Sequence, residues 1–476
     1  MKYQKGSITV FSLLCILLVT AMLCVLLEGC RRWELGRYAD LRAEVAIESV
    51  FANYNSCLWE NYRLLATDIE QSGKILDQAL ETSVERGANF LQLKSSEVLM
   101  GEYMRITDGD GMVFLKSVSA YMKENLVYEA IKEIYSQYEA FKHLLENSDL
   151  RLGHVDEALE ELESLNIERQ SIGTTGGNNI KLSDIKQLLE EIKHWTEMGV
   201  LELVIEDKQN ISDATADFKN GVLERKLKSG TVQLPSKTTW MDRVFLQQYL
   251  LTYLSNFRNT QANRALSYEV EYLLGKQSSD IGNLNLVVGQ MLLLREASNF
   301  MYLLSDSQKY TQVQTLATVS LGASLNPALI ELVKLGILTA WAFAESVLDV
   351  RALLAGKKIP LLKSDETWTS DIAHLSEWMD GFSMSKDCDW GVSYEGYLGI
   401  LLLFQNEQTL AMSTLNIQEA SIRKVYGEPE FQIDTLITQA QVDVVYQYET
   451  IFPFLNLFGE LGWPNSMQGY ARYNYY

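Results

Sequence analysis

The chain opens on an apolar run. From Ile8 to Leu27 there are 20 residues without a charge, a proline or a glycine. At 1.5 Å per residue, a helix of that length covers the roughly 30 Å hydrocarbon core of a bilayer. Beyond it, Trp33, Leu35, Tyr38, Leu41, Val45, Phe51, Tyr54, Leu58 and Tyr62 recur at spacings that cluster near helical periods, with only Gly36 to interrupt. The pattern predicts one helix from about Ser7 to Leu65, apolar all round in its first half and amphipathic in its second.

Downstream, the first proline is Pro235, and so long a stretch without one favours helix, because proline costs about 3 kcal/mol inside a helix. Helices are predicted at Gly73 to Leu99, Met112 to Asn147, Val155 to Leu165, Lys181 to Asp207, Asp213 to Leu227 and Thr239 to Thr260. Asp108-Gly109-Asp110-Gly111 reads as a turn, and Gly173 to Asn179 as a loop without the Lys-Ser/Thr of a phosphate-binding motif. Leu284 to Leu304 is a further helix. Leu329 to Leu354 is the second most apolar stretch, but Glu331, Lys334, Glu345, Asp349 and Arg351 interrupt it, so it is expected to be a buried core helix and not a second span. Asn326-Pro327 supplies its start. Asp349 and Arg351 read as ordinary ion-pairing residues.

Near the end the period changes. Ala440, Val442, Val444, Tyr446 and Tyr448 alternate with polar residues, the signature of a strand with one face buried, and Phe431 to Ile437 is its expected partner. Helices Tyr394 to Phe404 and Glu407 to Tyr426 precede it. The tail carries Tyr470, Tyr473, Tyr475 and Tyr476, and is expected either to dock on a partner or to be disordered. The fold class is therefore mainly α with a small C-terminal α+β part. Its expected segments are a basic leader (1–6), a transmembrane helix (7–28), a helical spine (29–105), a helical bundle or coiled-coil-like arm (106–234), an apolar helical core (235–362) and a C-terminal α+β module with an aromatic tail (363–476).

Composition narrows the function. With 476 residues, 47% of them hydrophobic, the chain is long enough for two or three cores. A net charge of −21 argues against nucleic acid, which needs clustered Lys and Arg. Cys15 and Cys24 lie inside the apolar run, and Cys30 and Cys57 sit about 40 Å apart on one straight helix, too far to bridge. With Cys388 they are expected to be free thiols, and no Cys/His spacing suggests zinc. His374 with Asp371 or Asp380 is the one cluster suited to metal or acid/base chemistry. It lacks a second histidine, and a loop packed by Trp368, Trp378 and Trp390 is the simpler reading. No metal, cofactor or catalytic residue is assigned, and the protein is expected not to be an enzyme.

The N-terminal run admits three readings. A cleaved secretory signal is normally shorter and ends in a small-residue site. A lipoprotein signal would end at Leu27-Glu28-Gly29-Cys30 but for its charged Glu28. The third is a retained anchor. For this one a resemblance speaks: Lys5-Gly6 followed by Ser-Ile-Thr-Val-Phe, an apolar run and a long amphipathic helix resembles type IV pilin-like subunits, most of all the pseudopilins of tight-adherence (Tad) pili. More closely, the stretches at Lys5 to Asp68 and Leu266 to Phe404, with LSYEVEYLLGK and CDWGVSYEGYLGILLLF among them, resemble an uncharacterised family of large single-anchor proteins thought to accompany such machinery.

The resemblance implies cleavage between Gly6 and Ser7 by a prepilin-type peptidase, a span from Ile8 through Phe11 to Leu27, and pilin-like or secretion-assembly subunits as partners beside membrane lipid. One position departs from the pattern: pilins carry Glu at the fifth mature residue, where this chain has Phe11. Lys2 and Lys5 before the span, and Arg31, Arg32, Arg37 and Arg42 after it, would alone put the body in the cytoplasm. Long acidic domains cross regardless of such charges, and the leader must meet a cytoplasmic peptidase. The expectation is therefore a non-enzymatic, single-pass, pseudopilin-like component of a Tad-type pilus or secretion assembly with an extracellular body. A monotopic envelope scaffold and, behind it, an envelope hydrolase are the alternatives.

Overall fold

The helix that starts at Lys5 runs unbroken to Ala52 (α1), 48 residues and about 72 Å of rise. The computed structural model describes residues 5–78, 93–125, 136, 138–142, 157–160, 182–207, 209, 211–232, 237–321, 327–452 and 466–475. They divide into two units, one made of Met1–Tyr121, Asn220–Asp242 and Glu430–Tyr476, the other of Met122–Lys219 and Arg243–Pro429.

In the first unit, α1 does not reach Leu65. Asn53 and Asn55 offer side chains that compete with helical hydrogen bonding. Asn55 caps a new helix, α2 (Ser56–Tyr62), by accepting from Leu58 N at 3.0 Å. The Thr67 hydroxyl donates to the carbonyls of Val50 (3.3 Å) and Asn53 (3.0 Å), which gives the end of α1 a partner. A short helix at 69–78 follows.

The sheet is antiparallel, with strands β1 (Thr67–Asp68), β2 (Leu93–Arg105), β3 (Leu436–Tyr448) and β4 (Ser466–Asn474). β3 is the centre and pairs with the other three; Val98 faces Val444, Ala471 faces Val442, and Asp68 faces Leu436. Its alternation is as the sequence predicts, with Ala440, Val442, Val444, Tyr446 and Tyr448 buried. Two neighbours are not as predicted. Leu93 to Leu99, assigned to a helix, is strand, because Val98 and Met100 pack on the core that α1 and β3 build and that pairing outweighs local propensity. The proposed partner Phe431 to Ile437 is instead a 3₁₀ turn, Ile433–Thr435, leading straight into β3. The tyrosine tail supplies the missing strand, β4, and Tyr473 stacks on Phe51 with ring centroids 4.7 Å apart.

α1 lies on this sheet through Leu35, Ala39, Ala43, Ala46, Ile47, Val50 and Phe51. The alanines let the backbones approach. At Gly469 in β4, a Cβ would come within 2.3 Å of the Ala39 carbonyl carbon and 2.5 Å of Asp40 N. α3 (Asp108–Asn125) leaves β2 through Gly109, Asp110 and Gly111, with φ of 66°, 55° and 82°, the left-handed turn that Asp-Gly-Asp-Gly announces. Asp108 ties it down by accepting from Arg105 N at 2.7 Å and Gly230 N at 3.0 Å.

The second unit is helical. Its elements are α4 (Leu182–Glu197), α5 (Val200–Val204), α6 (Trp240–Tyr253, whose first turn belongs to the first unit), α7 (Glu269–Gly275), α8 (Asp280–Ser305) and α9 (Ser307–Leu321). They continue with α10 (Pro327–Leu354), α11 (Leu375–Asp380), α12 (Tyr394–Leu403) and α13 (Glu407–Val425). α10 is the buried core helix the sequence predicts, packed against α8 and α9. Three predicted helices are revised. Lys181 to Asp207 breaks at Met198-Gly199 into α4 and α5. Thr239 to Thr260 ends at Tyr253. Asp213 to Leu227 is irregular, because its backbone pairs elsewhere: Thr215 bridges Ser279, and Ala216 N donates to Ser278 O. The loop Gly173 to Asn179, most of Val155 to Leu165 and the far end of Met112 to Asn147 lie outside the described residues.

Candidate functional site

Two helices among the described residues are long and apolar enough to cross a membrane, and burial separates them. α10 is mostly covered, whereas the apolar half of α1 is exposed among the described residues: Ile8, Phe11 and Leu27 are each more than 60% exposed. Such an N-terminal helix is a membrane anchor or a signal sequence. Gly6 and Ser7 lie in its first turn, on the same uninterrupted helix as Phe11.

Immediately past this run sits a cluster the apolar pattern did not disclose. Glu28 is fully buried. Arg31 donates to it at 2.7 Å and to the Glu449 carbonyl at 2.7 Å, and Arg32 approaches Glu28 at 3.6 Å. Both guanidinium groups lie over the ring of Tyr448, at 5.4 and 5.3 Å from its centroid. Burial lowers the Arg32 pKa despite the neighbouring Tyr448 and Glu28, and burial raises that of Tyr448. A buried carboxylate is costly unless paired, and here two arginines pair with it beside Tyr448, the last residue of β3. The hint in the sequence was the i, i+3, i+4 spacing of Glu28, Arg31 and Arg32. Tyr448 and Glu449, far along the chain, gave none.

In the helical unit, the polar residues that interrupt α10 turn inward. Asp349 accepts from Arg295 Nη2 at 2.8 Å, from Lys363 at 2.7 Å and from Ser385 Oγ at 2.6 Å. Glu345 accepts from Lys363 at 2.7 Å and from Ser370 N at 2.8 Å. Arg295 also reaches Tyr397 OH and the Pro360 carbonyl. Burial would raise the Asp349 carboxyl, but Arg295 and Lys363 hold it below the ordinary range. Two cations and two anions with filled donor and acceptor sites form a fastening between α8, α10 and the segment from Pro360 to Ser385. Arg351, expected to be an ion-pair residue, instead donates to the carbonyls of Leu203 (2.8 Å) and Met379 (3.1 Å).

A second set fixes the segment around α7. Glu271 accepts from Phe257 N at 2.9 Å and Tyr394 OH at 2.7 Å, and Asp280 accepts from Ser267 N and Tyr268 N. Burial pushes Glu271 up to about 7. LSYEVEYLLGK thus carries carboxylates that hold backbone, and its apolar residues Leu273 and Leu274 are core.

His374 stands with Asp371, Nδ1 to Oδ2 3.7 Å, both side chains more than half exposed. Asp371 also caps the turn Ile372–His374 by accepting from Ala373 N at 3.1 Å. Asp380 ends α11, and no hydrogen bond or ion pair among the described residues joins it to this pair. Among the described residues no three His, Cys, Asp or Glu side chains gather as a metal would require. The supposed tryptophan packing is also partial: Trp368 is buried edge-on to Trp341, while Trp390 is exposed. All five cysteines are free.

These features define a mainly helical protein with an N-terminal apolar helix that is exposed among the described residues and a small antiparallel sheet centred on a late strand. Residues 178–448, more than half of the chain, match the model of a family of unknown function (DUF5702), and the chain belongs to that family. The match takes in α4 through β3 and leaves out α1. No curated protein and no solved structure matches the chain.

Proposed function

We propose that the protein is a non-enzymatic, membrane-anchored, pseudopilin-like component of a Tad-type pilus or secretion assembly, with its body outside the cell. One observation carries the reading. α1 is a single helix whose first half is apolar and uncovered and whose second half is the spine of an antiparallel sheet, the arrangement that the resemblance of Lys5 to Phe11 and the following run implies. The net charge of −21 argues against a nucleic-acid partner. On this reading a prepilin-type peptidase removes the leader after Gly6, and the other partners are pilin-like subunits. Mass spectrometry of the protein from membranes tests it: the mature chain should begin at Ser7, and an intact Met1 would overturn the processed pseudopilin.

Phe11 favours a second reading. It stands 68% exposed where a pilin places the carboxylate that offsets a neighbouring subunit's terminal amine. Without that carboxylate the helix serves as an anchor for an envelope scaffold that enters no filament. Immunogold labelling of sheared surface fractions separates the two, since label confined to membranes supports the scaffold and label along fibres excludes it.

A further inference from the structure

No linker separates the end of the apolar run from the start of the folded sheet. Glu28 directly follows Leu27, and its shell already includes Tyr448 and, through Arg31, the Glu449 carbonyl. The foot of the sheet is thus fastened where the apolar run ends. The groups left facing outward at this level include apolar ones beside the exposed Glu34, Arg37 and Glu449. Trp33 is 65% exposed, Cys30 is exposed, and Ile451 is 38% exposed only two residues beyond the carbonyl that Arg31 holds. Arg37 lies over the Trp33 ring, 5.2 Å from its centroid.

We infer that this foot is a lipid-contacting surface: Trp33 and Ile451 sit in the headgroup layer of the bilayer, with Arg37 directed at lipid phosphates. Trp33 follows Leu27 by six residues, about 9 Å of helix rise, and helical side chains lean back toward the N-terminus, which returns the indole to the headgroup region. Tryptophan is enriched at that depth because its ring is apolar and its N–H polar, and arginine beside it suits anionic headgroups. The buried cluster accounts for three of the neighbouring charges: Glu28, Arg31 and Arg32 are turned into the protein and paired with one another there, so the outward face presents none of these three. The first unit therefore rests on the membrane and does not stand off on a stalk. The inference rests on α1 being a retained anchor.

The test uses the full-length protein in vesicles of phosphatidylcholine and phosphatidylglycerol, with an environment-sensitive fluorophore on one thiol at a time and nitroxide-labelled lipids as quenchers. One form keeps native Cys30, with Cys15, Cys24 and Cys57 replaced by alanine and the buried Cys388 retained. Others also replace Cys30 and carry Val19→Cys, Ile451→Cys or Tyr54→Cys. Shallow nitroxides should quench the probes at 30 and 451 at least threefold more than the probe at 54, and deep nitroxides should quench the one at 19. Probes at 30 and 451 that quench no more than the one at 54, with position 19 still quenched, overturn the inference and leave the anchor standing. Loss of quenching at 19 as well overturns the anchor and the inference together. Cys30 is a native residue, so this reading survives even if Ile451→Cys disturbs its turn.

Discussion

Lys363 is one ammonium shared by two buried carboxylates, Glu345 and Asp349. Removing one partner of a buried ion pair costs about 3 to 5 kcal/mol, because the remaining charge is left without compensation. Lys363→Met, which preserves shape, is expected to destabilise the helical unit by about that much in denaturant unfolding, and a change under 1 kcal/mol would show the network to be redundant. Glu271 gives a second prediction, of opposite electrostatic character. Its carboxyl moves from 4.5 to about 7 on burial, and Glu296 does the same. A group whose folded pKa is raised stabilises the fold fully below its unfolded value and loses that contribution as pH rises through the folded one. The thermal midpoint should therefore fall between pH values of about 4.5 and 7, and Glu271→Gln should flatten part of that fall. Asp349, held low, acts only at more acidic pH and does not mask the effect.

Among the elements, the contact between α1 and β4 is the tightest constraint. A methyl at Gly469 would meet only backbone, at Ala39 and Asp40, so no side chain can turn aside to admit it. Gly469→Ala should cost about 2 kcal/mol or more, seen as faster proteolysis of β4, while Gly427→Ala is a poor comparison because its φ of 70° brings strain of its own. Much at this scale was legible in the sequence. The uncharged run, the burial of α10 despite its five charges, the helices α12 and α13 and the alternation of β3 all rest on local periodicity. β2 was not legible, since Leu93 to Arg105 becomes a strand only through pairing with residues more than 330 positions later. The irregular course of Asp213 to Leu227 was hidden for the same reason. The cluster at Glu28 was half legible, its arginines by spacing and its tyrosine not at all.

For the whole molecule, the question is whether α1 is processed and retained. Gly6→Leu should block cleavage and leave membrane insertion intact, because the apolar run from Ile8 is unchanged. Unaltered electrophoretic mobility and an unchanged N-terminus in that variant would mean that no leader peptidase acts there. The order of segments has its own consequence. The helix face formed by Leu35, Ala39 and Ala43 is covered by β3 and β4, and Asp40 meets Tyr470 N across 430 residues of sequence. A ribosome delivers that helix first and its cover last, so through most of synthesis the spine is an unprotected apolar strip, with the entire helical unit emerging in between. Contacts of such sequence separation close slowly. Maturation of this protein is therefore paced by the arrival of the last two strands, and a chaperone shielding residues 35–51 would have the longest task on the chain.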